Sequence, residues 1–119
     1  MHPLREKVLN LIESLKKEES AVILVEGLRD CAALRTLGVL HAIQRVSGTR
    51  VFDDISQFEG KNVIILTDFD RTGQKLYNAL KHELEVMGFK PNTYYWQTFK
   101  RITKGEIKGI EELVQFSEE

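Results

Sequence analysis

The sequence predicts an α/β protein built around a parallel sheet. Two continuous apolar runs, Ala21 to Val25 and Val63 to Thr67, are typical of strands buried on both faces. Residues 72–87, which follow the second run, carry apolar side chains at helical spacing. Strand-like and helix-like segments alternate along the chain, which favours βαβ units with helices on both faces of the sheet.

The first part of the chain supports this pattern. Residues 3–19 carry apolar residues at helical spacing with Lys and Glu between them, which predicts an amphipathic helix. Residues 30–37 also have a helical pattern, and Gly38 is expected to end that helix. His41 to Val46 is a weaker strand, and the small polar turn Ser47-Gly48-Thr49 follows it.

The second part adds shorter elements. Residues 54–58 fit one short helix capped by Asp53 or Asp54. Thr93 to Gln97 combines β-branched and aromatic residues and predicts a fourth strand. Residues 107–116 predict a closing helix.

Length and composition predict one soluble domain. The chain has 119 residues, 42% of them hydrophobic and 29% charged, and its longest apolar run is far too short to cross a membrane. We expect residues 1–19 to form a helix packed on the domain, and residues 20–119 to form the domain with a basic C-terminal extension. A lone cysteine, Cys31, excludes an internal disulfide and agrees with a cytoplasmic location. The net charge of −1 argues against binding nucleic acid through bulk positive charge, so phosphate binding would need a local basic patch or a metal.

Acidic residues follow two of the predicted strands. Glu26 ends the first strand, Asp68 and Asp70 end the third, and Asp30 lies one helical turn after Glu26. The carboxyl ends of parallel strands form the functional edge of such a sheet, so these acids should converge if the two strands are neighbours. Clustered carboxylates repel one another, and Mg²⁺ relieves this repulsion while sharing itself with substrate phosphates. The alternative is that Asp30 and Asp70 are helix caps.

The two acidic junctions resemble the motifs of the Toprim family. Val25-Glu26-Gly27-Leu28-Arg29-Asp30 is similar to the first motif, in which Glu-Gly closes a strand and an acid follows. Thr67-Asp68-Phe69-Asp70-Arg71-Thr72-Gly73 is similar to the second motif, Asp-x-Asp-x-x-Gly. The resemblance covers about residues 20–100. It implies a Rossmann-like Toprim fold with four parallel strands in the order 2-1-3-4.

Within that family, the chain most resembles stand-alone small Toprim proteins and the Toprim domain of the ribonuclease that matures 5S ribosomal RNA. Ser47-Gly48-Thr49 matches their small polar turn, and Lys108-Gly109-Ile110-Glu111 resembles a Gly-hydrophobic-Glu element of that ribonuclease. The resemblance implies Mg²⁺-dependent phosphodiester hydrolysis, with Mn²⁺ as a substitute cation. It favours RNA over DNA as the substrate and water as the nucleophile.

The resemblance also implies roles for individual residues. Asp68 and Asp70 would hold the metal. Glu26 would be a general acid or base, or a further metal ligand. Asp30 would support the catalytic group, and Glu111 is a candidate further acid. Because the chain carries only the Toprim unit and short flanks, a protein partner that supplies other domains is a further expectation.

Phosphate contacts are expected from three groups of residues. Arginines flank the acids, glycines and a serine allow close approach, and a basic run follows the last predicted strand. The candidates are Arg29, Arg71, Gly27, Gly73, Ser47, Gly48, Lys104 and Lys108.

Other functions fit parts of this pattern. A non-catalytic nucleic-acid-binding module, or an adaptor of a larger DNA or RNA machine, fits the balanced net charge equally well. Asp68-Phe69-Asp70-Arg71-Thr72 also matches the Asp-x-Asp-x-Thr motif of haloacid-dehalogenase-type phosphatases, although Glu26-Gly27 is then unexplained. A response-regulator receiver would need an acidic pair at the end of the first strand, where this chain has Glu26-Gly27.

Overall fold

The computed structural model describes residues 3–117, which form three parallel strands and a set of helices. The strands are β1 (Ala21–Val25), β2 (Ala42–Arg45) and β3 (Asn62–Ile65). The helices are α1 (Arg5–Lys16), α2 (Leu28–Thr36), α3 (Arg71–Val86) and α4 (Tyr94–Thr103). Two 3₁₀ helices, Ile55–Phe58 and Ile110–Ser117, complete the described chain. No helix in this range is long and apolar enough to span a membrane.

The sheet has the order β2-β1-β3, with β1 in the centre. Ile23 of β1 pairs with Ile43 of β2 on one side and with Ile64 of β3 on the other. All five residues of β1 are buried. Because successive side chains of a strand point to opposite faces, this burial requires both faces of β1 to be covered. The α/β class and the parallel sheet predicted from the sequence are confirmed.

The predicted fourth strand is wrong, because the segment that contains it forms helix α4. Tyr95, Trp96, Phe99 and Thr103 are buried, and their spacing places them on one side of a helix. Packing of this aromatic face therefore overrides the strand preference of the β-branched and aromatic residues. Just before this helix, Asn92 forms an isolated parallel bridge with Ile64 of β3. The strands of the described sheet therefore have the order 2-1-3 instead of the predicted order 2-1-3-4.

Local sequence signals set several element ends. Asp70 caps α3 by accepting a hydrogen bond from the Gly73 N–H at 2.8 Å. Asp54, one of the two expected caps, accepts from the Ser56 N–H at 3.1 Å and begins the first 3₁₀ helix. Gly38 follows α2 with a φ of 88°, a left-handed conformation that favours glycine. The expected closing helix is a 3₁₀ helix, and it packs against α1 and α2.

Candidate functional site

A cavity of about 410 Å³ lies where β1, β2 and β3 end. It is open to solvent at the edge of the sheet that parallel α/β proteins use for binding. Seven residues expected at a site line this cavity, together with Leu28 and Arg45: these are Glu26, Gly27, Arg29, Asp30, Ser47, Asp68 and Glu111.

Glu26 links the ends of the two neighbouring strands β1 and β3. Its Oε2 accepts a hydrogen bond from the Asp68 backbone N–H at 2.7 Å. The Glu26 carbonyl accepts a second bond from the Ser47 N–H at 2.9 Å. Side chain and backbone of Glu26 therefore connect the ends of all three strands, which brings the two acidic junctions of the sequence together.

Asp68 is the most perturbed carboxyl of the cavity. Burial and the neighbouring carboxylates, Glu26 first and then Asp30, Asp70 and Glu111, raise the pKa of Asp68 to about 7. The structure thus brings Glu26, Asp30, Asp68 and Glu111 to one cavity, and Asp70 lies outside its lining.

Gly109 lies directly against the Asp68 carboxylate. A methyl group at position 109 would overlap the Asp68 Oδ1. The neighbouring Lys108 carbonyl accepts a 2.6 Å hydrogen bond from the Phe69 N–H, which holds the two chain segments together. The C-terminal segment therefore forms one wall of the site, and Glu111 enters the cavity from it.

Asp30 and Asp70 both bind the backbone at the start of a helix. Asp30 lies in the first turn of α2, where its Oδ2 accepts from the Gly27 N–H at 3.1 Å. Only 8% of Asp30 is exposed, and burial raises the pKa of its carboxyl. Asp70 is exposed and caps α3 outside the cavity lining, but its charge still contributes to the raised pKa of Asp68. The helix-cap interpretation is thus correct for both Asp30 and Asp70, and it is compatible with a role at the site.

The segment that carries Asp68 is fixed from behind by a buried network. The Trp96 Nε1–H donates to the Thr67 carbonyl at 2.9 Å, and the Thr67 hydroxyl donates to the Gly73 carbonyl at 2.8 Å. The Trp96 ring stacks on Tyr77 with 4.1 Å between the ring centroids. Gly73 packs so closely on the Asp68 carbonyl that a side chain there would overlap it. These contacts hold the backbone of the acidic junction in one position.

Some of the expected phosphate-binding residues line the cavity, and the others lie outside it. Arg29 and Ser47 line the cavity, and the Arg29 guanidinium lies 4.0 Å from the Glu111 carboxylate with 87% of its side chain exposed. Five candidates lie outside the cavity lining: Gly48, Arg71, Gly73, Lys104 and Lys108. Arg45 is a site residue that the sequence motifs did not identify, and Gly109, although part of the Lys108-Gly109-Ile110-Glu111 element, was not among the expected site residues. A basic residue near the end of β2 was the only sequence signal for Arg45.

Within residues 3–117, no group of three or more His, Cys, Asp or Glu side chains is arranged to hold a metal ion as it stands. The hydrogen bonds explain this finding. Glu26, Asp30 and Asp70 each direct a carboxylate oxygen to a backbone N–H. The carboxylates are close enough to interact electrostatically, but they face different donors.

Comparison with known proteins identifies the class. The family model described as "Toprim domain" matches residues 20–93, so the chain belongs to the Toprim family. Membership of this family indicates a metal-dependent function connected with nucleic acid.

Several relatives are proteins of similar size. A UPF0292 protein of Thermococcus gammatolerans is 43% identical over 90% of this chain and 80% of its own length. The UPF0292 protein of Methanocaldococcus jannaschii is 37% identical over 93% of this chain and 90% of its own length. A solved structure of a protein from Aquifex aeolicus has a TM-score of 0.73 and 35% identity, and covers 87% of this chain and 94% of that one. The resemblance to small stand-alone Toprim proteins agrees with these relatives.

Proposed function

We propose that this protein hydrolyses phosphodiester bonds in nucleic acid, with RNA favoured over DNA, by means of a divalent cation bound at the Glu26–Asp68 edge of the sheet. The observation that carries the proposal is the position of Asp68. Its carboxylate is half-buried beside three further acids of the same cavity, and the cavity opens toward Arg29, Arg45 and Ser47. Function on nucleic acid follows from the family, and hydrolysis is the chemistry that these acids would serve.

The donor set fits a hard cation. Carboxylate oxygens are the ligands that Mg²⁺ and Mn²⁺ prefer, and Asp68 and Asp70 would hold the ion with Glu26 beside them. A bound cation would neutralise charge on the phosphate and lower the pKa of a water molecule. The other oxygen atoms needed around the ion would come from water and from substrate phosphate, which agrees with a site that is incomplete without substrate.

Glu26 is the residue suited to move a proton. The Asp68 N–H binds its Oε2 and orients the carboxylate, and Oε1 forms no hydrogen bond among the described residues. A carboxylate held in this way can accept a proton from water or return one to a leaving oxygen. Asp30, whose oxygen binds the Gly27 N–H, would position the start of α2 rather than contact the substrate.

Metal binding and cleavage test this proposal separately. Calorimetry with Mn²⁺ should detect binding to the parent protein and lose it when Asp68 and Asp70 are both replaced by Asn. Asp54→Asn is a matched control, since Asp54 also caps a helix but lies outside the cavity. Asn is a good N-cap residue, so the Asp70 change should leave α3 intact.

Cleavage is measured with labelled RNA and DNA oligonucleotides in Mg²⁺, in Mn²⁺ and in chelator. Glu26→Gln should retain oligonucleotide binding and lose cleavage, because the amide oxygen can still accept from the Asp68 N–H but the side chain cannot take up a proton. Unchanged Mn²⁺ binding in the double Asn variant would place the metal elsewhere.

A second candidate is a non-catalytic nucleic-acid-binding protein or an adaptor that works with a partner. The observation that favours it is that Glu26, Asp30 and Asp70 already bind backbone N–H groups. A parent protein that binds oligonucleotides but cleaves none of them with either cation would support this candidate.

A further inference from the structure

The end of β2 places a second cation, besides Arg29, in a cavity lined by four carboxylates. Arg45 is the last residue of β2 and pairs in register with Val25, directly before Glu26. Its side chain lines the same cavity as four carboxylates, those of Glu26, Asp30, Asp68 and Glu111. A guanidinium in this position can form ion pairs with these carboxylates, or it can bind an incoming anion.

The contacts of Arg45 favour an incoming anion. Across residues 3–117, its guanidinium forms neither an ion pair nor a hydrogen bond, although the carboxylates line the same cavity. Arg29, the other arginine of the cavity, has only a 4.0 Å contact with Glu111 and is largely exposed. Neither arginine therefore forms a close ion pair with the carboxylates of the cavity.

The turn itself is well fixed. The Thr49 hydroxyl donates to the Arg45 carbonyl at 2.8 Å, and the Ser47 N–H donates to the Glu26 carbonyl at 2.9 Å. Gly48 has a φ of 70°, and a methyl group at this position would lie 4.0 Å from the Arg45 Nη1. The Arg45 guanidinium thus lies beside Gly48, and Ser47 lines the same cavity as Arg45.

We infer that Arg45 and Ser47, together with Arg29 of the same cavity, form a binding site for a second phosphate, the one adjacent to the phosphate at the acids. The inference rests on the proposed function, because it takes the Glu26–Asp68 edge as the place of the reactive phosphate. Arginine binds phosphate through two parallel N–H donors, and an unpaired guanidinium beside a hydroxyl offers that geometry. The substrate is then an oligonucleotide strand with at least two phosphates in the cavity, not a mononucleotide or a simple phosphomonoester.

The basic run at the C-terminus does not supply this contact. Lys104 and Lys108 lie outside the cavity lining, and the Lys100 ammonium is bound to Gln74 Oε1 at 2.7 Å and to the Phe69 carbonyl at 3.3 Å. Those lysines remain candidates for phosphates farther along the strand. The phosphate next to the reactive one is therefore bound by residues at the end of β2 and in the turn that follows it.

The test compares Arg45→Gln with Arg50→Gln. Arg50 is the next basic residue on the same loop, but it pairs with Asp53 at 2.9 Å and lies outside this cavity. Binding of fluorescent ten-nucleotide single-stranded RNA and DNA of the same base sequence is measured by anisotropy in Ca²⁺ at several salt concentrations. Arg45→Gln should raise the Kd about tenfold or more at low salt. It should also lower the slope of log K against log salt by about 0.7. Arg50→Gln should keep the Kd within about twofold, as expected for an exposed, distant charge.

Further variants separate the charge of Arg45 from its hydrogen-bond geometry, and the phosphate site from the metal site. Arg45→Lys should retain the parent's salt slope while losing part of the affinity, because lysine keeps the charge and loses the two-pronged geometry. The inference is overturned if Arg45→Gln binds like the parent, if Arg50→Gln loses as much affinity, or if the parent binds neither oligonucleotide. Mn²⁺ calorimetry separates the two proposals: Arg45→Gln should bind Mn²⁺ as the parent does. Loss of the metal site in the Asp68 and Asp70 variants concerns the proposed function alone.

Discussion

Asp68→Asn should stabilise the metal-free protein at high pH. An acid whose pKa is higher in the folded state than in the unfolded state binds more protons when folded, so the free energy of unfolding falls as pH rises through the interval between the two values. For Asp68 the interval runs from the usual 3.8 to about 7. Below pH 4 the carboxyl is protonated in both states and costs nothing. Above pH 7 the full cost of the buried charge is present.

The size of the effect follows from the shift. Three pKa units correspond to about 4 kcal/mol, and screening by solvent at this half-buried site reduces the expected gain to about 1–2 kcal/mol. For a chain of this length that gain raises Tm by about 4–10 °C. Asn has nearly the shape of Asp, so the contact with Gly109 should persist while the charge is removed.

Thermal melts in chelator at pH 5 and pH 8 measure this effect. The stabilising effect of Asp68→Asn should be largest at pH 8 and should shrink at pH 5. Glu83→Gln, a change of an exposed acid on α3 away from the cavity, should have a small effect at both pH values. An Asp68→Asn protein that is no more stable than the parent at pH 8 would refute the view that the acids of the cavity repel one another.

Three more outcomes follow from the same contacts. Mn²⁺ at ten times its Kd should stabilise the parent by about 1.4 kcal/mol in thermal melts and leave Asp68→Asn unaffected. Gly109→Ala should weaken Mn²⁺ binding in calorimetry because its methyl group displaces the Asp68 carboxylate, whereas Gly27→Ala, which has open space around its added methyl group, should fold with unchanged Tm. Trp96→Phe should lower the free energy of unfolding in urea by about 1–3 kcal/mol, since it leaves the Thr67 carbonyl without its donor.

Much of the site could be predicted from the sequence because its key residues follow strands. The apolar runs before Glu26 and Asp68 predicted buried parallel strands, the family resemblance implied that they are neighbours, and the structure pairs them as β1 and β3. Parallel pairing alone then brings the two acids to one edge of the sheet. The role of Asp70 as a helix cap could likewise be predicted, because Asp70 lies just before a predicted helix. These features depend on neighbours in the chain and on one rule of sheet geometry.

Helix α4 could not be predicted in the same way. Tyr94 to Gln97 has the composition of a strand, and only the burial of Tyr95, Trp96, Phe99 and Thr103 against the rest of the protein favours a helix. Local preferences are worth a fraction of a kcal/mol per residue, whereas burying one large aromatic side chain contributes about 2–3 kcal/mol. The tertiary packing therefore decides between the two structures.

The sequence by itself determined the α/β class, the parallel arrangement of β1 and β3, and the acidic edge that these strands create, because hydrophobic periodicity and strand ends are local properties. Only the tertiary structure showed that Arg45 and Gly109 complete that edge and that Glu111, a candidate from the resemblance, reaches it. Gly109 and Glu111 reach it from the C-terminal segment, and Arg45 reaches it from β2. Contacts between residues far apart in the chain depend on how packed elements approach one another, and no local pattern encodes that distance.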